Sequence, residues 1–165
     1  METVTFESLG LEPEILEALK RKGFEEPTPI QALAIPRLLS GNANLVARAR
    51  TGTGKTAAFG LPLIQTLRVP TGAVRALVLV PTRELALQVT GEVSSLRPHG
   101  DYPRVAPIYG GASYGEQFRR LSRGVEIVVG TPGRVKDHIE RGSLSLQALE
   151  YFVLDEADEM LDMGF

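Results

Sequence analysis

The chain has 165 residues, 43% of them apolar, which suits one globular domain with a real buried core. It contains no Cys, so disulfides and thiolate metal sites are excluded. Its N-terminus lacks the basic segment and apolar run of a secretory signal, so a cytoplasmic protein is expected. The longest strongly apolar run, Ala76 to Val80, is far too short to cross a bilayer, and a net charge of −2 makes any polyanion site local rather than global.

Residues 1–10 read as irregular, with Phe6 their large aromatic. Pro13 suits a first helical turn, and Leu11, Ile15, Leu16 and Leu19 form an apolar face that Gly23 stops. Thr28 is placed to cap a second helix begun by Pro29, and Pro36 is expected to bend or break it. Five apolar runs then recur: Ala43–Ala47, Ala76–Val80, Val105–Tyr109, Glu126–Val129 and Tyr151–Leu154. Most are continuous rather than alternating, as in strands covered on both faces. Helical patterns separate most of them: Leu85, Val89, Val93 and Leu96 share a face, Ser113 with Glu116 forms a capping box before Phe118 and Leu121, and Val135 and Ile139 precede the stop at Gly142. Alternating strands and helices predict an α/β fold with a doubly wound parallel sheet.

The chemistry concentrates at strand ends. Leu45-Val46-Ala47 runs into Ala49-Arg50-Thr51-Gly52-Thr53-Gly54-Lys55-Thr56, the grammar of a strand, a phosphate-cradling loop and a helix. Gly52 and Gly54 let backbone N–H groups converge on an anion, Lys55 reaches toward terminal phosphates, and the Thr56 hydroxyl suits a magnesium ion. Ala49 stands where the loop usually begins with Gly. The run Tyr151–Leu154 delivers Asp155 and Glu156 to a strand end, where one carboxylate can hold the metal and its neighbour orient a water. In a parallel sheet both motifs reach the C-terminal edge, where ligands bind. Pro81-Thr82-Arg83-Glu84 and Gly130-Thr131-Pro132-Gly133-Arg134 each offer a Thr cap, first-turn N–H groups and an Arg. Gly110-Gly111 offers close backbone approach. Ordinary capping explains any one of these alone. Several along one edge, beside a nucleotide that already has its loop, point to a nucleic-acid backbone read through its phosphates.

In this order, Gly23-Phe24, Pro27-Thr28-Pro29-Ile30-Gln31, Ala49–Thr56, Pro81–Ala86, Gly110-Gly111, Thr131–Arg134 and Asp155-Glu156-Ala157-Asp158 resemble the first RecA-like domain of a DEAD-box ATP-dependent RNA helicase, a P-loop NTPase fold. In that family the phosphate loop also begins with Ala. The resemblance implies ATP and Mg2+ as cofactors and sequence-nonspecific RNA as partner. It gives Gln31 the adenine edge, with Phe24 packing on the base and Phe6 behind it. It makes Ala49 to Thr56 the nucleotide loop, Lys55, Asp155 and Glu156 the catalytic residues, and Thr56 and Asp155 the metal ligands. Arg83, Gly110, Gly111, Thr131, Gly133 and Arg134 would face RNA, and Asp158 would couple to a later Ser-Ala-Thr motif. The side chains of Arg48, Arg50, His99 and His138 receive no role and are expected to be solvated surface.

On the same resemblance, residues 1–165 correspond to the N-terminal RecA-like domain up to the acidic motif, with the nucleotide-recognition segment at 6–31. The Ser-Ala-Thr motif and the second RecA-like domain, which supplies an arginine finger in cis, do not appear. The piece is then expected to bind nucleotide, to hydrolyse it slowly and not to unwind duplexes. Two alternatives stay open: an RNA clamp using ATP only for affinity, and an unrelated P-loop ATPase acting on protein or DNA.

Overall fold

The computed structural model describes residues 3–41 and 54–162. The expected strand at Ala43–Ala47 and the loop positions Ala49, Arg50, Thr51, Gly52 and Thr53 lie outside these residues. The chain divides into two compact units, Met1–Arg68 with Ser95–Tyr102, and Val69–Ser94 with Pro103–Phe165.

The first unit is helical among its described residues. A 3-10 turn at Phe6–Leu9 replaces the expected irregular start, because Thr5 and Ser8 cap each other through side chain and backbone. Helix α1 (Pro13–Arg21) buries Ile15, Ala18 and Leu19, and Gly23 ends it in the left-handed region at φ +82. Helix α2 (Pro29–Leu39) is not broken by Pro36 but runs past it. A proline there removes one backbone N–H bond, while the adjoining Ile35 is fully buried and anchors the turn. Helix α3 (Lys55–Thr66) is apolar nearly all round, with eight consecutive buried residues from Ala57 to Ile64. The Gln65 side chain accepts from the Glu12 N–H at 2.9 Å and donates to the Gly10 carbonyl at 3.2 Å, tying the end of α3 to the start of α1. Arg68 adds ion pairs to Glu12 and Glu14.

The second unit carries a parallel sheet of four strands, β1 (Ala76–Leu79), β2 (Val105–Ile108), β3 (Ile127–Gly130) and β4 (Tyr151–Leu154), in the order β2-β3-β1-β4. The predicted parallel α/β arrangement is therefore found, with α4 (Arg83–Ser95), α5 (Tyr114–Arg123), α6 (Pro132–Arg141) and α7 (Ala157–Asp162) each following a strand. Every residue of β1, β2 and β3 is buried, as continuous apolar runs predict. Strand β4 alternates, leaving Phe152 and Leu154 54% and 43% exposed. Leu77, Leu79, Ile108, Val128, Val135 and Met160 form the centre of the core.

Two features fix the strands' relative placement. The Glu126 carboxylate, buried just before β3, accepts the Arg104 N–H at 2.9 Å and the Gly72 N–H at 3.3 Å. At the other end of β3, Gly130 has no room for a side chain: a Cβ would lie 2.4 Å from Val135 Cγ2 and 3.0 Å from the Ile108 carbonyl. The parallel register pairs Leu79 with both Gly130 and Leu154, and Ile108 with Gly130. All four strands thus deliver the residues that follow them to one edge.

Candidate functional site

In the first unit, the site begins where α3 does. Gly54 takes a left-handed φ of +79 and leaves the helix N-terminus without a side-chain cap. Helices expose backbone N–H groups and a positive dipole end at this point, and an uncapped terminus opened by Gly-Lys-Thr suits a phosphate. Gln31 closes on the same residue. It is buried, its Oε1 accepts the Thr28 N–H at 3.0 Å, and its Nε2 donates to the Gly54 carbonyl at 3.1 Å. The amide that the resemblance assigns to adenine is therefore engaged at both ends by the protein, joining the cap of α2 to the end of the phosphate loop. A Cβ on Gly54 would sit 2.3 Å from Gln31 Nε2, so glycine is needed there for space as well as for φ.

Phe6 and Phe24 pack with ring centroids 6.3 Å apart and planes inclined by 44°. Beside them lies a cavity of about 300 Å³ lined by Phe6, Leu16, Leu19, Gly23 and Phe24 together with the charged Glu7, Lys20 and Glu25.

In the second unit, the shared strand edge gathers the remaining candidates. Asp155 and Glu156 follow β4, Arg83 follows β1, Gly110 and Gly111 follow β2, and Thr131, Gly133 and Arg134 follow β3. Asp155 is buried, its N–H bonded to the Leu79 carbonyl at 2.9 Å. Glu156 is the one non-glycine with positive φ among the described residues, at +58. Its carbonyl accepts the Met160 N–H at 3.2 Å, so the left-handed turn leads directly into α7. Such a backbone costs roughly 1–3 kcal/mol and persists at functional sites when the surroundings enforce it. Asp158 lies in the first turn of α7.

Thr82 caps α4, accepting the Leu85 N–H at 3.2 Å, and the Arg83 guanidinium lies 5.6 Å from the centre of the Tyr109 ring. Gly111 needs its glycine for a φ of +83, whereas Gly110 and Gly133 have open space where a side chain would be. That space permits close approach of a ligand to backbone. Two capping expectations need correction. Thr131 occupies the cap position of α6 but makes no side-chain cap bond. Ser113 accepts the Glu116 N–H at 3.3 Å, while the reciprocal arm of the expected capping box does not form.

Arg134 and His138 depart furthest from expectation. Arg134 is turned into the protein: its Nη1 donates to the Ala112 carbonyl and to Gln117 Oε1, each at 3.2 Å, and its side chain is 15% exposed. His138, expected on the surface, is fully buried. Its Nε2 lies 3.0 Å from Gln117 Oε1, its Nδ1 2.7 Å from Ser143 Oγ, and its ring stacks on Tyr114 at 4.4 Å. Burial holds the imidazole pKa below its usual value. Arg134 and Arg141 push in the same direction, and Asp137 opposes them. The sequence signal was present: His138 follows Arg134 by one helical turn and shares a stripe with the buried Val135, which faces inward. Gln117 likewise lies inward between Tyr114 and Leu121 on α5.

Residues 28–165 match the model of the DEAD/DEAH box helicase family. The chain is 52% identical over 161 residues to the DEAD-box ATP-dependent RNA helicase CshA of Geobacillus kaustophilus, covering 98% of this chain and 34% of that protein. It is 53% identical over 161 residues to the ATP-dependent RNA helicase DeaD of Escherichia coli, covering 98% of this chain and 25% of that protein. A crystal structure of a DEAD box protein from Methanococcus jannaschii superimposes with a TM-score of 0.91 at 48% identity, over 99% of this chain and 44% of that one. The chain thus spans between a quarter and under half of these relatives. The acidic strand end, the Gly-Lys-Thr helix start and the parallel sheet all fall within the matched residues, and the chain belongs to the DEAD/DEAH box helicase family.

Proposed function

We propose that the chain is the nucleotide-binding RecA-like domain of a cytoplasmic ATP-dependent RNA helicase, working with a second RecA-like domain in the full-length protein. The observation that carries this is the start of α3: a left-handed Gly54 leaves the helix without a side-chain cap, immediately before Lys55 and Thr56. Lys55 neutralises terminal phosphate charge, and the α3 N–H groups hold phosphate oxygens. Thr56 and Asp155 offer hard oxygen donors of the kind Mg2+ takes, and Glu156 orients the attacking water. Bound Mg2+ supplies charge neutralisation at the phosphoryl oxygens. The cavity beside Phe24 takes the base. Gln31 then selects adenine by exchanging one of its present protein partners for the base edge, since its amide offers a donor and an acceptor.

RNA binds along the strand edge through its backbone, at Arg83, Gly110, Gly111, Thr131, Gly133 and Arg134. Phosphate contacts position without reading sequence, which suits a motor acting on many RNAs. Closure of the two domains on ATP and RNA pries a duplex apart locally, and hydrolysis resets them, with Asp158 in the coupling path. Equilibrium binding of a fluorescent ATP analogue tests the nucleotide half. Lys55→Ala is expected to weaken binding at least ten-fold, a difference of about 1.4 kcal/mol. ATP is expected to displace the analogue far better than GTP. Equal competition by GTP would remove the assignment of Phe24 and Gln31 to adenine.

A further inference from the structure

We propose that Gln117 and His138 are positioning residues for a backbone phosphate contact made by Arg134, holding the guanidinium and the neighbouring glycine turn as one rigid RNA-facing unit. This rests on the RNA assignment of the strand edge given above.

The hydrogen bonds around Gln117 are determinate. Its Nε2 donates to the Tyr109 carbonyl at 2.9 Å, which fixes the amide orientation. Its Oε1 can then only accept, and it receives Arg134 Nη1 at 3.2 Å and His138 Nε2 at 3.0 Å. His138 must therefore carry its proton on Nε2. Ser143 Oγ, 2.8 Å from the Tyr114 hydroxyl and 2.7 Å from Nδ1, completes the ring's bonding. Tyr114 stacks on the imidazole with planes inclined by only 10°, and the Arg141 guanidinium lies 4.3 Å from the centre of the Tyr114 ring.

Two consequences follow for the edge. The Gly110-Gly111 turn is held on both sides by this cluster, at Tyr109 through Gln117 and at Ala112 through Arg134. Arg134 spends Nη1 on two protein acceptors, so its planar fork is fixed before any ligand arrives. A preorganised donor loses less side-chain entropy on binding than a free one. A role limited to packing explains the cluster poorly. Filling a buried slot with an imidazole and an amide costs desolvation that an aliphatic side chain would avoid, and here the amide oxygen joins the imidazole to Arg134.

The test uses the full-length protein, a fluorescein-labelled single-stranded oligouridylate and a non-hydrolysable ATP analogue, with affinity measured across a salt series. Arg134→Ala is expected to weaken RNA binding roughly ten-fold and to reduce the slope of log K against log salt by about 1. Gln117→Met and His138→Phe are expected to lower affinity several-fold with the same change of slope, and to add little in the Arg134→Ala background. Analogue affinity without RNA should be unchanged in each, which a merely misfolded domain could not show. If Arg134→Ala lowers affinity and slope while Gln117→Met and His138→Phe leave the slope intact, the positioning role is wrong and the RNA edge stands. If Arg134→Ala itself changes neither, the phosphate assignment of Arg134 fails and the positioning role goes with it.

Discussion

Replacing Gly54 by Ala perturbs the start of α3 in two separable ways. The residue sits at φ +79, where an L side chain costs roughly 1–2 kcal/mol. The new methyl would also lie 2.3 Å from Gln31 Nε2, 3.1 Å from Gln31 Cδ and 3.2 Å from Thr28 Cγ2. Gln31 is 2% exposed, so it cannot retreat into solvent without giving up its bonds to Thr28 and Gly54. An unsatisfied buried amide costs about 1–3 kcal/mol. The combined loss of about 2–5 kcal/mol is a large share of a typical domain's stability. Urea denaturation followed by circular dichroism measures it, and a cycle with Gln31→Ala separates the parts. In the Gln31→Ala background only the backbone cost should remain, giving a coupling of about 1–3 kcal/mol. Strict additivity, or a Gly54→Ala loss below about 1 kcal/mol, would refute the proposed clasp between Gln31 and the loop.

Other perturbations follow from the same packing. Gly130→Ala drives a methyl against Val135 and the Ile108 carbonyl and should cost about 1–3 kcal/mol by thermal unfolding, with a null effect contradicting the strand–helix contact. Glu126→Ala strands the Arg104 and Gly72 N–H groups and should cost about 2–4 kcal/mol, whereas Glu126→Gln, which keeps one acceptor, should cost less. At position 156, φ is +58, so Glu156→Gly should be about 1 kcal/mol more stable than Glu156→Ala; the reverse order would deny the strain. His138 faces Arg134, Asp137 and Arg141 from its own helix and Tyr114 and Gln117 from α5. Its folded pKa is lowered from 6.5, so its contribution is complete above that pH and is lost as pH falls from 6.5 through the folded value. Unfolding free energy of wild type minus His138→Phe, measured from pH 8 to 5, should shrink toward acid, and a flat difference would contradict the burial.

Much of the fold was legible because local and global signals agree. The runs from Ala76, Val105 and Ile127 are apolar throughout, as covered strands require, and strands separated by amphipathic helices leave few topologies; the run from Tyr151 reads the same way, yet β4 leaves Phe152 and Leu154 exposed. Thr28-Pro29 and Gly142 marked helix ends because cap geometry depends on residues adjacent in sequence. The acidic pair and the Gly-Lys-Thr start were legible for the same reason, as short motifs with their own mechanics. Pro36 misled because a proline's local penalty can be outweighed by the burial of Ile35 next to it. His138 misled because its burial depends on partners outside its helix, Gln117 on α5 and Ser143 after α6, although its place one turn from Val135 already put it on an inward stripe. The dual bonding of Gln31 was hidden likewise, since its second partner, Gly54, is remote in the chain.

The central proposal is that Lys55, Thr56, Asp155 and Glu156 serve ATP hydrolysis in the full-length protein and that RNA stimulates it. Steady-state ATP turnover of the full-length protein with RNA, with DNA and with neither tests it most directly, beside Glu156→Gln under the same conditions. The prediction is turnover raised many-fold by RNA, little by DNA, and abolished in Glu156→Gln while ATP binding persists. Turnover indifferent to RNA, or undiminished in Glu156→Gln, would contradict the claim.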